Sequence, residues 1–154
     1  MSAIYHQVWI NAPLAKVYWA VSTVEGVNLW WEQQTAVQTD EGLVFEHSPG
    51  PIIGVVRMKL NEMVPNVRVE WECISAHDRR TPAFAWTGTH LIFELMERKN
   101  YSPANVPWTT DVPAMTILDF RQVGWDEKNE YFGFCNYAWG LVLQKLAHVC
   151  ESSL

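Results

Sequence analysis

Asn129-Glu130-Tyr131-Phe132-Gly133-Phe134-Cys135-Asn136-Tyr137-Ala138-Trp139-Gly140-Leu141-Val142-Leu143-Gln144-Lys145-Leu146-Ala147-His148-Val149-Cys150-Glu151 is the stretch where the hydrophobic period of the chain changes. No proline interrupts it. Phe132, Cys135, Trp139, Val142/Leu143, Leu146 and Val149/Cys150 recur at steps of three and four. That spacing marks one face of a helix and predicts an amphipathic α-helix of about 20 residues, its apolar stripe turned towards a sheet. Gly133 and Gly140 fall inside it, each costing roughly 1 kcal/mol against Ala. Either a close approach to a strand requires them or they are tolerated.

Upstream the period is mostly two. Ile4–Ile10 alternates and is rich in β-branched and aromatic residues, so it reads as a strand. Asn11-Ala12-Pro13 ends it; Asn11 or Ala12 could cap a helix carrying Leu14, Val17, Tyr18 and Val21 on one face, with Pro13 in its first turn. A second short helix is expected over Val24–Trp31. Asp40-Glu41-Gly42 separates Thr35–Thr39 from Leu43–His47 as a hairpin. Strands then follow at Ile53–Met63, Val67–Ser75, Thr87–Glu97 and Ala114–Val123, with polar loops at Ser48–Pro51 and His77–Pro82. In the second of these strands Val67, Val69, Trp71 and Cys73 alternate with Arg68, Glu70 and Glu72, the pattern of a half-buried antiparallel strand. Arg98–Pro113 holds Pro103, Pro107 and Pro113 without periodicity and reads as a long loop of a length that is often functional, here placed at the mouth of a cavity. The order of elements is α+β: one strand, two short helices, about six further antiparallel strands and a long terminal helix. A twisted sheet curling around one helix does not easily close its interior, so the gap between them is the natural place for a cavity.

Composition narrows the function. The 154 residues hold 11 Lys+Arg against 17 Asp+Glu, a net charge of −6, with 49% apolar and 18% charged residues. One domain over residues 1–154, with a genuine core, is expected. The negative balance argues against nucleic acid and against an anionic membrane surface. No apolar stretch has the roughly 20 residues needed to span a bilayer, and no leader is read at the start, so a cytoplasmic protein is expected. Cys73, Cys135 and Cys150 are odd in number with no C-x-x-C pair, and read as reduced thiols. Nine tryptophans, with five Tyr and six Phe, suggest an aromatic-rich core or a lined cavity.

Several segments resemble a known superfamily. Ile10-Asn11-Ala12-Pro13, Lys16-Val17-Tyr18-Trp19-Ala20, Gly26-Val27 and Trp30-Trp31 are similar to the opening of the START-like, birch-pollen-allergen-like (SRPBCC) superfamily. Trp86–Leu95 resembles the penultimate strand, and Trp139, Leu143, Leu146 and Glu151 the terminal helix, of its group named after the activator of heat-shock-protein-ninety ATPase. The chain departs from that pattern at Ala138, where a Gly is usual, at Gln122, near a usual His, and in the Arg98–Pro113 loop, which replaces a short hairpin. The resemblance implies a helix-grip fold with an apolar cavity. Members bind lipids, hormones, flavonoids or polyketides, and some are cyclases or dehydratases; fold alone does not choose among these.

The periodicity turns Phe45, Met58, Trp71, Leu91, Phe93, Leu118, Phe120, Trp139 and Leu143 inward, and these are the candidate ligand-binding residues. Thr89, Thr116, Gln122 and Tyr137 are the polar side chains expected to reach the cavity. No catalytic residue, metal site or cofactor is read. His6, His47, His77, His90 and His148 are scattered without ligand spacing, and no nucleophile elbow or phosphate loop occurs. His77-Asp78-Arg79-Arg80 reads as a solvated polar loop that could hold an anion. The leading expectation is a binding protein for a small hydrophobic or amphipathic molecule held between sheet and terminal helix. A cyclase or dehydratase is the alternative; it needs an ionisable group such as His47, Glu72 or Asp119 inside the cavity. A chaperone-regulating interaction module is the third reading. Nothing in the sequence fixes an oligomeric state.

Overall fold

The computed structural model describes residues 2–98 and 115–152. The Arg98–Pro113 loop, apart from Arg98 itself, lies outside the described residues. Seven strands form one antiparallel sheet: β1 (Ser2–Ile10), β2 (Thr35–Thr39), β3 (Gly42–His47), β4 (Val56–Val64), β5 (Arg68–Cys73), β6 (His90–Arg98) and β7 (Met115–Trp125). Their order is β1-β7-β6-β5-β4-β3-β2. Helices α1 (Leu14–Ser22) and α2 (Val24–Val27) follow β1, and α3 (Phe132–Glu151) closes the chain. This is the α+β helix-grip architecture expected from the sequence.

Register explains why the inner face is continuous. Phe45 faces Met58, Leu60 faces Trp71, Trp71 faces Leu91, Phe93 faces Phe120, and Leu95 faces Leu118. A one-residue slip anywhere would turn such a row to solvent. On the outer face the charges pair along β5 and across neighbouring strands. Arg68 bridges Glu70 (3.0 Å) and Glu94 (3.3 Å), Arg121 meets Glu94 (2.7 Å), and His90 meets Glu70 (3.0 Å). Burial alone would raise the Glu70 pKa, but hydrogen bonds from His90, Asn61 and Arg68 hold it below the usual carboxylate value.

Helix α3 buries Cys135, Trp139, Leu143, Leu146 and Cys150, the stripe read from the sequence. Gly140 lies against β1: a Cβ there would meet the His6 ring at 3.3 Å, and His6 Nε2 lies 3.0 Å from the Asn136 carbonyl. Gly133 faces open space. Gly26 has a stronger reason, since a Cβ would stand 2.5 Å from the Trp19 carbonyl oxygen, so only glycine lets α2 rest on α1.

Several local expectations change. Helix α1 starts after Pro13, which occupies the N-cap position itself; Asn11 instead donates its backbone N–H to Glu151 at the end of α3 (2.9 Å). Helix α2 stops at Val27, and turns carry the chain through Trp31. Ile53 and Gly54 fall in a turn before β4 because Gly54 takes a positive φ of 80°. Thr87–Thr89 lies outside β6: Pro82 opens a 3-10 helix over Pro82–Trp86, and Gly88 (φ 82°) redirects the chain.

Two glycine variants separate space from propensity. Gly26→Ala should cost about 1–3 kcal/mol by forcing α2 off α1. Gly133→Ala should be neutral or stabilising by up to about 1 kcal/mol. Urea unfolding monitored by circular dichroism checks both; equal effects would refute the close-approach argument.

Candidate functional site

Trp31 has no regular element of its own. Its backbone N–H bonds to the Val27 carbonyl (2.9 Å), which projects the indole into the hollow between sheet and α3. There it stacks on Trp30 (6.2 Å between centroids, 16°), Trp71 (5.7 Å, 16°) and Trp86 (6.1 Å, 24°), and tilts against Trp139 (5.3 Å). Trp139 continues onto Phe120 (4.6 Å), Phe120 onto Phe93 (5.2 Å), and Phe93 onto Trp71 (4.8 Å). Five indoles and two phenyl rings therefore occupy the middle of the fold. Aromatic pairs of this kind contribute about 0.5–1.5 kcal/mol beyond their area burial.

A polar thread crosses the cluster. Trp139 Nε1 donates to Gln122 Oε1 (2.9 Å), Gln122 Nε2 donates to Thr89 Oγ1 (3.0 Å), and Thr89 Oγ1 donates to the Trp86 carbonyl (2.7 Å). Every amide and hydroxyl in this thread is satisfied, so it fixes ring orientation rather than offering groups to a ligand. The indole N–H of Trp71 is enclosed without an acceptor, a cost of about 1–3 kcal/mol, and that of Trp86 is enclosed beside the Cys135 sulfur.

Beside the cluster is an open recess of about 330 Å³. The 3-10 helix contributes Pro82, Ala83 and Trp86, and α3 contributes Phe134, Ala138 and Trp139. The remaining wall comes from Trp31, the end of β3 at His47, and the Ile53–Val56 segment. Among the described residues, the ionisable members of its lining are Glu32, His47 and Cys135. Burial pushes the Cys135 thiol up, as it does Cys73 and, to about 11, Cys150; none is poised as a thiolate.

His47 is the polar group of this wall that the structure holds most firmly. It is 9% exposed, and its ring meets Trp31 edge-on at 4.9 Å. Its Nδ1 lies 3.1 Å from Gln34 Oε1. Burial, with the nearby His77 charge as a smaller cause, lowers its pKa to about 4, so the ring is neutral at pH 7. His77 in turn donates from Nδ1 to the Ile53 carbonyl (2.9 Å) and contacts Ser75 Oγ through Nε2 (2.7 Å), bracing the turn at the rim. Asp78 and Arg80 pair with each other (2.8 Å), which holds the Asp78 carboxyl well below its usual range.

The nine inward candidates are all buried, but they divide. Trp139 lines the recess; Phe45, Met58, Trp71, Leu91, Phe93, Leu118, Phe120 and Leu143 are core behind it. Thr89 and Gln122 belong to the satisfied thread, and Thr116 donates to the Ala12 carbonyl (2.7 Å) away from the recess. Tyr137 corrects the reading outright: it is 65% exposed, on the solvent side of α3. Asp119 and Glu72 face outward, accepting from Tyr5 and Gln7 and from Asn61 respectively. The sequence reading left Trp31, Trp86, His47, Phe134 and Ala138 outside its ligand-binding set. The signal for the first two was the tryptophan excess itself.

No protein-family model matches the chain, and no curated protein matches it by sequence. Solved structures do match its fold. The Aha1 dimer from Colwellia psychrerythraea, determined in solution, is 24% identical with a TM-score of 0.67, covering 98% of this chain and 97% of that one. MLL2253 from Mesorhizobium loti is 18% identical with a TM-score of 0.71, covering 99% of each chain. CalU16 from Micromonospora echinospora is 14% identical with a TM-score of 0.64, covering 98% of this chain and 76% of that one. The resemblance read from the sequence and the fold neighbours thus point to the same helix-grip architecture. Among the described residues no helix is long and apolar enough to cross a membrane.

The lowered His47 pKa sets the sign of a pH effect. The unfolded chain takes up this proton near pH 6.5, the folded chain only near pH 4. The stability held above pH 6.5 is therefore lost as pH falls from there towards 4. Between about pH 7.5 and pH 5 the loss from this group should be about 2 kcal/mol in urea unfolding. His47→Gln should remove that increment; an unchanged pH dependence would show that His47 does not carry it.

Proposed function

We propose that this chain binds a small, flat, largely apolar molecule in the recess, rather than in the hollow under α3. The observation that carries this reading is the recess itself, about 330 Å³ and walled by Trp31, Trp86, Trp139 and Phe134. That volume is at the small end of ligand pockets and suits two or three fused rings. Covering roughly 200 Å² of ligand apolar surface would contribute about 5 kcal/mol before the cost of association. Phe134 is 61% exposed, so a ligand would remove apolar surface that water now covers.

Catalysis finds less support. The buried His47 is a poor base at a pKa of about 4, and Glu72 and Asp119 lie on the opposite face of the sheet. The interaction-module reading has exposed Ile52, Phe84 and Phe134 in its favour. Of these Phe134 lines the recess, so a hydrophobic ligand accounts for it as well.

Native mass spectrometry of the purified protein should show a co-purified small molecule, and calorimetric titration should show one site for 2-naphthol. Ala138→Trp, which fills the recess from the surface of α3, should abolish that site while the far-ultraviolet circular dichroism stays unchanged. Phe134→Ala should weaken it about 3–10-fold. Undiminished binding by Ala138→Trp would remove the recess as the site.

A further inference from the structure

The hydrogen bonds behind His47 decide which of its ring nitrogens carries the proton. Gln34 is buried, and its Nε2 donates to the Glu32 carbonyl (2.8 Å). A carbonyl only accepts, so that contact identifies the Gln34 NH2 group and leaves Oε1 on the other branch. Oε1 is the atom facing His47 Nδ1 at 3.1 Å. It too only accepts, so Nδ1 must hold the hydrogen. Gln34 is itself held in place: its backbone N–H donates to Asn28 Oδ1 (2.7 Å), and Asn28 Nδ2 donates to the Gln34 carbonyl (3.3 Å). The relay from Glu32 through Gln34 to His47 thus has one consistent polarity. It ends on His47 Nε2, a bare lone pair with no protein partner among the described residues, on a side chain nine-tenths buried at the recess wall.

We infer that the recess selects for a hydrogen-bond donor: its ligand is an uncharged aromatic or polycyclic molecule whose hydroxyl group donates to His47 Nε2. This rests on the recess being the binding site. Among the described residues the lining includes no Lys or Arg, and its acidic member is Glu32. A carboxylate ligand would meet the His47 lone pair and find no cation among the described lining residues, so it is disfavoured. An ether in place of the hydroxyl leaves Nε2 unpaired once water is expelled. The Trp86 N–H is enclosed against the Cys135 sulfur, so it offers the ether oxygen no donor in exchange.

Three naphthalenes of one shape test the assignment. Calorimetric titration should give 2-naphthol about tenfold tighter binding than 2-methoxynaphthalene, and 2-naphthoate at least tenfold weaker binding than 2-naphthol. His47→Phe should bring the naphthol and the methyl ether within about twofold of each other while still binding both. Because that variant could repack the wall, nitrogen-15 spectra of the wild-type histidines supply an independent reading. His47 Nε2 should resonate as an unprotonated nitrogen and shift when 2-naphthol is added. If the naphthol and the ether bind equally to wild type, or Nε2 carries the proton, donor selection is overturned while the recess stands as a site. If none of the three compounds binds, the binding reading falls and this inference with it.

Discussion

A curved sheet gripping a single helix encloses more space than aliphatic side chains fill, and here the balance is made up by the Trp31 indole. It enters from a turn rather than from the sheet or helix, so it can reach the middle of the hollow without disturbing strand register. Around it the rings of Trp71, Trp86 and Trp139 come from β5, the 3-10 helix and α3. Each element is thereby held through one shared surface. That is why the cavity expected beneath α3 is displaced to the edge of the cluster: packed interiors leave few voids larger than water.

The sheet was largely legible because a period of two has one physical meaning. Arg68–Cys73 alternates without exception, and its partners follow in register. The α3 stripe was equally plain from steps of three and four. Failures came where backbone conformation, not periodicity, decides. Pro82 and the positive φ of Gly88 carve a 3-10 helix from what reads as loop and strand. Tyr137 was misjudged by its polarity; two residues from Trp139, it sits roughly 200° around the helix from the buried stripe, which places it in solvent.

The candidate site was less legible than the fold. Trp139 could be found because it lies on a periodic element. Trp31 and Trp86 lie on irregular segments, and their positions depend on how the turn after α2 and the 3-10 helix pack against α3. His47 stands at the end of a strand whose alternation marks it inward, but nothing in its neighbourhood announces the buried Gln34 beside it. The pair forms only when residues thirteen apart are brought together by the β2–β3 hairpin. Long-range pairings of that kind set the electrostatics of a wall and leave no local pattern.

The five indoles gathered around Trp31 have an optical consequence. Their transition dipoles lie within a few ångströms of one another in fixed orientations, so excitation is shared among them instead of residing on one ring. The near-ultraviolet ellipticity and emission of these five rings are therefore collective properties of the cluster. A molecule resting against Trp31 or Trp86 perturbs the whole array, and the fold carries its own spectroscopic gauge of occupancy.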